Sequence, residues 1–196
     1  MTRGIIPIIL LSSLLVIPNT AAGSHKVHRD GLTICAMIIE ELTEGRVDLK
    51  TGQALSLAIA RAGNKHFGRV TCGDMWLYLA LAHVESGFRS NVINHLNCRG
   101  IFQVHAPSWA PKFGLKYRDL LDPAINADTG IGVFKYYLHR YGGIVPALCA
   151  YNSDNPRASR GFARAVLSTR DRIRKRYAQL YRTLRDSRKK NDPVPF

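Results

Sequence analysis

Glu85 is the residue of this chain with the best placement for acid–base chemistry. It follows Leu77, Ala80, Leu81 and Val84, whose three- and four-residue spacing predicts one face of an amphipathic helix. Gly87 comes two residues later and predicts the helix end, because glycine tolerates left-handed backbone. A glutamate there is half turned toward the core and near the negative end of the helix dipole. Desolvation and dipole both disfavour the ionised form, so the pKa is expected to rise, which suits a general acid. Asp74 lies on the same helix but eleven residues earlier, roughly 16 Å away, too far for a catalytic carboxylate pair. With Thr71 it reads as a capping box.

Other residue types offer less by themselves. Gly100-Ile101-Phe102-Gln103-Val104 is an apolar run with one amide, Gln103, and alone reads as a core segment. Trp109 reads as core or as a face on which a sugar stacks. None of the seven histidines, His66 included, has a partner at ligand spacing, and no C-x-x-C occurs, so neither a metal nor a cofactor is expected.

The elements that must position Glu85 follow from periodicity and breakers. Residues 32–42 predict a short helix and 52–63 a second, closed by Gly63-Asn64. The helix of Glu85 opens at Thr71. Residues 90–99 read as a loop, Pro107-Ser108-Trp109 as a helical turn, 120–123 as a turn, and 126–141 as a helix ended by Gly142-Gly143. Residues 144–150 are apolar and run into Tyr151-Asn152-Ser153 before Asp154-Asn155-Pro156 breaks the chain. Beyond that break, from Arg157 to Lys190, thirteen Lys or Arg stand against two Asp. A stripe of Phe162, Val166, Ile173, Tyr177 and Leu180 predicts a basic amphipathic helix there, with a disordered end from about Ser187. The class is all-α.

At 196 residues the chain is of single-domain size. Arg3, the apolar run 5–17 and Thr20-Ala21-Ala22 read as a signal peptide over residues 1–22, cleaved near Ala22. Thirteen apolar residues are too few to span a bilayer, which makes a retained anchor the lesser alternative. The expected organisation is then an N-terminal helical extension over 23–70, a main domain over 71–180 and a basic tail over 181–196. Export, to a periplasm or beyond, makes the even count of four cysteines favour two disulfides, with three pairings open. The formal charge of +14 favours an anionic partner. In an exported protein that means wall polymer, lipid headgroups or acidic protein, and no nucleic acid.

Four separated pieces resemble one family. Glu85-Ser86-Gly87-Phe88, Gly100-Ile101-Phe102-Gln103-Val104, Asp122-Pro123-Ala124-Ile125-Asn126 with Gly130, and Ala150-Tyr151-Asn152 are similar, in order and spacing, to the soluble lytic transglycosylase catalytic domain. The likeness covers roughly residues 71–177. Tyr151-Asn152-Ser153-Asp154-Asn155 with Arg160-Gly161-Phe162 resembles the branch that accompanies conjugation and type IV secretion machines.

The resemblance implies a lysozyme-like helical fold and cleavage of peptidoglycan glycan strands. It implies that Glu85 is a lone acid and base, first protonating the glycosidic oxygen, then taking a proton from the muramyl hydroxymethyl group as an anhydro ring closes. It places Ser86 and Gln103 against substrate near the cleavage point, Tyr151 in a hydrogen bond to Glu85 or the sugar, and Asn152 in the loop that holds it. Ser153 and Asp154 depart from the glycines common after the Tyr-Asn pair, and Phe102 stands where Met is usual. Asp154 is therefore a candidate second carboxylate, which would make a hydrolysing muramidase the enzymatic alternative. The alternative of another class is a peptidoglycan-binding assembly protein without turnover. Since the Gly100 and Tyr151 segments should border one cleft, the expected disulfides are Cys98–Cys149 and Cys35–Cys72.

Overall fold

The computed structural model describes residues 29–191. The expected signal peptide over residues 1–22, with its cleavage near Ala22, lies outside the described residues. Seven helices follow in order: α1 (Arg29–Leu42), α2 (Leu49–Phe67), α3 (Cys72–Ser86), α4 (Ala106–Trp109), α5 (Pro123–Tyr141), α6 (Ile144–Ser153) and α7 (Arg160–Asn191). Between α3 and α4 lies a two-stranded antiparallel hairpin, β1 (Cys98–Arg99) and β2 (Val104–His105), pairing Cys98 with His105 and Arg99 with Val104. Two 3-10 turns, Pro111–Phe113 and Tyr117–Leu121, lead into α5. The all-α expectation holds.

α3 is the axis of the fold. The sequence predicts one apolar face, but Leu77 to Ala82 are all buried, with Leu79 to Ala82 at 0% exposure. A helix covered on every side belongs in the middle of a core rather than at its edge. α7 lies along α3 and also meets α1 and α6, while α2 packs on α1, α3 and α5. One apolar cluster runs from Ile34 on α1 to Leu180 on α7. The N-terminal helices therefore share the core of the residues that follow them, and α7 crosses the expected boundary at residue 180 without a break.

Two helix ends differ from the sequence expectation. α2 begins at Leu49, where the Asp48 side chain accepts from the Thr51 amide at 2.8 Å, and it continues through Gly63-Asn64. Gly63 is buried against Val70 and Tyr78, so its small size serves packing there, and Gly68 ends the helix instead. α7 continues past Ser187 to Asn191, where a disordered end was expected. The Ser187 hydroxyl bonds back to the Thr183 carbonyl at 2.9 Å, which keeps it within the helix.

Candidate active site

The carboxyl of Glu85 is placed by how α3 starts and stops. At its start the Thr71 hydroxyl accepts from the Asp74 amide, and the Asp74 carboxylate accepts from the Thr71 amide at 2.8 Å, the expected capping box. At its end Gly87 is left-handed (φ 59°, ψ 38°) and its N–H donates to the His83 carbonyl at 2.8 Å. Phe88 is left-handed as well (φ 63°), uncommon for a bulky residue, and it is buried with its ring 6.0 Å from that of His83. Two left-handed residues in succession turn the chain away directly after the last turn of α3. Glu85 is left facing a cleft. No hydrogen bond or ion pair reaches its carboxyl among the described residues, and burial pushes its pKa up to about 8. Desolvation alone produces this shift.

Ser86, expected at the substrate, is only 3% exposed, and its hydroxyl donates to the Ile101 carbonyl at 2.8 Å. It ties the end of α3 to the hairpin loop and does not line the cleft. That loop is held from its other side by Asn126, which is fully buried. Asn126 Oδ1 accepts from the Phe102 amide, and Nδ2 donates to the carbonyls of Arg99 and Leu120, all at 2.8 Å. Asp122, four residues earlier in the same motif, caps α5 by accepting from the amides of Ala124 and Ile125.

Two glycines make the clamp close. A Cβ at Gly100 (φ 72°) would sit 2.4 Å from both Asn126 Nδ2 and the Leu120 carbonyl, and one at Gly130 would sit 2.5 Å from Phe102 Cβ. The Gly100 and Asp-Pro-Ala-Ile-Asn segments are thus halves of one joint. Gln103, the residue that this joint presents, has a strained left-handed backbone (φ 43°). Its amide Nε2 donates to the Gly100 carbonyl at 2.9 Å and more weakly to that of Val92 at 3.3 Å, and its side chain lines the cleft.

The opposite wall is the end of α6. The Tyr151 hydroxyl donates to the Phe102 carbonyl at 2.8 Å, not to Glu85, although burial and the nearby Glu85 both push its pKa well up. Asn152 is exposed at the cleft edge. Asp154 caps α6 with left-handed backbone (φ 56°), and its Oδ1 accepts from the Tyr137 hydroxyl at 2.7 Å. An Asp makes this left-handed turn, which it adopts less freely than glycine does.

Cys98 and Cys149 are free thiols, so the expected Cys98–Cys149 bridge is not formed. Cys149 faces the core of α6 at 0% exposure, whereas Cys98 is half-buried on the cleft wall, where burial raises its thiol pKa. Bordering one cleft did not bring their side chains together. The Cys35–Cys72 expectation turns on the Cys72 side chain, which lies outside the described residues.

The cleft has a volume of about 590 Å³. Its lining includes Glu85, Cys98, Gln103, Tyr151, Asn152 and Asp154, together with Trp109, Lys112, Tyr136, Tyr137 and Arg140. Trp109 is mostly buried, as the core reading has it, yet reaches the cleft wall. Asn126 and Tyr137 escaped the sequence reading as site residues. Asn126 stood inside a quoted motif that gave no reason for it, and Tyr137 lies three residues after Phe134 on a predicted helix. Among the described residues no group of three His, Cys, Asp or Glu is placed to hold a metal ion.

A helical domain whose central helix ends in one desolvated glutamic acid, facing an open cleft with aromatic walls, has the form of a glycan-cleaving domain of the lysozyme-like class. The family model of the Transglycosylase SLT domain matches residues 73–171, and the chain belongs to that family. Among solved structures it is similar to the 70 kDa soluble lytic transglycosylase of Escherichia coli, with a TM-score of 0.51 and 16% identity over 76% of this chain and 31% of that one. An inactive mutant of the lytic transglycosylase Slt of Pseudomonas aeruginosa aligns at a TM-score of 0.45 and 20% identity, over 85% of this chain and 31% of that one. The chain thus spans about a third of the length of these proteins. A search of curated protein sequences finds no significant match. The fold is the lysozyme-like one that the resemblance implied.

Proposed function

We propose that the protein is a peptidoglycan lytic transglycosylase in which Glu85 is both acid and base. The observation that carries this reading is the Glu85 carboxyl, held protonated to about pH 8 by burial and bonded to nothing among the described residues. A carboxylic acid kept neutral at working pH has a proton to give, and the absence of a hydrogen-bond partner leaves that proton free for the glycosidic oxygen. As the bond from the muramyl C1 to the leaving oxygen breaks, the proton moves from Glu85 to that oxygen. The resulting carboxylate takes the proton of the muramyl C6 hydroxyl while O6 bonds to C1. The anhydro ring closes, Glu85 is protonated again, and no water is consumed.

The remaining residues have supporting parts. Gln103, fixed in a strained loop by Asn126 and Gly100, and Asn152 at the cleft edge are the amides offered to sugar hydroxyls. Tyr151 holds the two cleft walls together through Phe102, and Ser86 holds the helix of Glu85 to the same loop. The likeness of Tyr151-Asn152-Ser153-Asp154-Asn155 and Arg160-Gly161-Phe162 to the conjugation and type IV secretion branch supports local wall opening for such an apparatus in the periplasm.

Asp154 supports the second reading, a hydrolysing muramidase, because it lines the same cleft. One of its oxygens is occupied by Tyr137, however, which disfavours its activating a water. Digestion of purified sacculi followed by mass spectrometry tests the proposal. Anhydro-muramyl ends are expected. Reducing ends would favour the muramidase, and no release at all would favour a binding or assembly protein. Glu85→Gln should abolish release.

A further inference from the structure

Next to the cleft is a second depression of about 540 Å³, lined by Gly132, Lys135, Tyr136, His139 and Arg140. These positions fall at i, i+3, i+4, i+7 and i+8, so one outward face of α5 forms the depression. Tyr136 and Arg140 border both cavities, which makes the two neighbours. The joint wall carries cations held over aromatic rings. Lys112 Nζ lies 4.3 Å from the Trp109 ring centroid and 6.0 Å from that of Tyr136. The Arg140 guanidinium lies 5.9 Å from the Tyr136 ring and 5.6 Å from the Tyr141 ring, and its Nη1 donates to the Tyr136 hydroxyl at 2.6 Å.

Neither Lys112 nor Arg140 forms an ion pair among the described residues. Of the acids that share their cleft, Glu85 is kept protonated to about pH 8 by burial, and Asp154 acts on Arg140 through space without pairing with it, its Oδ1 accepting from Tyr137. Lys135, by contrast, is engaged with the His66 carbonyl. Aromatic contacts keep both side chains extended over rings, so less rotamer freedom remains to be lost when an anion arrives. A wall with fixed aromatic faces and two cations outside any ion pair among the described residues fits a sugar that carries a carboxylate better than a neutral one.

We propose that Lys112 and Arg140 form a subsite for a carboxylate of the glycan strand, set on the Trp109 and Tyr136 rings beside the cleavage site. This rests on the glycan-cleaving reading above. A peptidoglycan strand presents carboxylates from two sources. Where the stem peptide is attached, the peptide carries them; where it has been removed, the lactyl group of the muramyl sugar does.

The test uses the full chain with Glu85→Gln to stop turnover, and measures binding of three soluble ligands. These are peptide-bearing strands, amidase-stripped strands and neutral chitin oligosaccharides, each with and without Lys112→Gln and Arg140→Gln together. The added pair should weaken binding of a carboxylate-bearing ligand at least about tenfold and change chitin binding by less than about twofold. Loss confined to peptide-bearing strands assigns the stem peptide, and loss confined to stripped strands assigns the lactyl group; loss on both shows that either carboxylate reaches the pair. Arg140→Lys should restore much of the binding. Equal losses on all three ligands, or none on any, would overturn the subsite. Absence of anhydro products from the wild-type protein would sink the transglycosylase reading instead, while leaving this binding contrast intact.

Discussion

The Tyr151 hydroxyl bonds the Phe102 carbonyl across 49 residues of sequence, so the two walls that flank Glu85 are joined to each other rather than to the acid. This leaves the Glu85 carboxyl without a donor that would stabilise its charged form, and burial raises its pKa. Tyr151→Phe should therefore act mainly through structure. Loss of one buried hydrogen bond, with the Phe102 carbonyl left unpaired, is expected to lower stability by about 1–2 kcal/mol and to slow cleavage as the walls slip. Thermal melts and sacculus digestion, run on the same preparation, check this. Unchanged stability with activity abolished would instead mean that the phenol acts on the substrate.

Asn126→Ala should be far more damaging. Three hydrogen bonds at 2.8 Å end on this one buried side chain, and its removal strands an amide and two carbonyls. The expected loss is about 3–5 kcal/mol, or roughly 10 °C in Tm. A melt within a few degrees of wild type would show that the loop finds other partners.

Glu85→Gln should change stability in a pH-dependent way. Burial raises the folded-state pKa from 4.5 to about 8, so the folded state holds the proton more tightly than the unfolded chain does. The stability from that proton is complete below pH 4.5 and is lost as pH rises through about 8. Gln has no proton to lose. Melting of the two proteins should agree near about pH 4, and the Gln variant should melt several degrees higher near about pH 9. A constant difference across this range would mean that Glu85 is not desolvated.

The same pKa fixes the alkaline limb of activity. A general acid must carry its proton when substrate binds, so release of fragments should stay level toward neutrality and fall about tenfold per pH unit above about 8. Initial rates across the pH range at constant ionic strength measure it. A fall beginning near the ordinary glutamate pKa would contradict the burial that the fold imposes.

The basic helix gives a separate prediction. Arg176 is paired with Glu41 at 2.5 Å, Arg170 with Asp171 and Arg185 with Asp186, but Arg164, Arg174, Lys175 and Arg182 are exposed and form no ion pair among the described residues. We expect the replacement of these four by Gln to weaken retention on anionic wall polymer and to flatten its salt dependence, with little effect on the cleavage of soluble strands. Sedimentation with sacculi across a salt series reads both. Substitution is preferable to truncation after Tyr177, because Leu180 is buried and Tyr181 stacks on Tyr177.

The sequence by itself determined the helical class, the capped start and glycine stop of α3, the candidacy of Glu85, and the family of the motifs. Each depends on interactions within a few residues, where spacing and residue type are enough. Only the tertiary structure decided that α3 is enclosed on all sides, because most of its cover comes from α7, which is distant in sequence. Only the tertiary structure showed that the Ser86 and Tyr151 hydroxyls tie the chain together, since their partners, Ile101 and Phe102, lie 15 and 49 residues away. The same holds for Asn126, whose three bonds make sense of a motif that spacing could quote but not explain. The disulfide expectation failed for the complementary reason: two segments can border one cleft while Cys149 faces the core and Cys98 faces the opening, and no pattern along the chain reports which way a side chain turns.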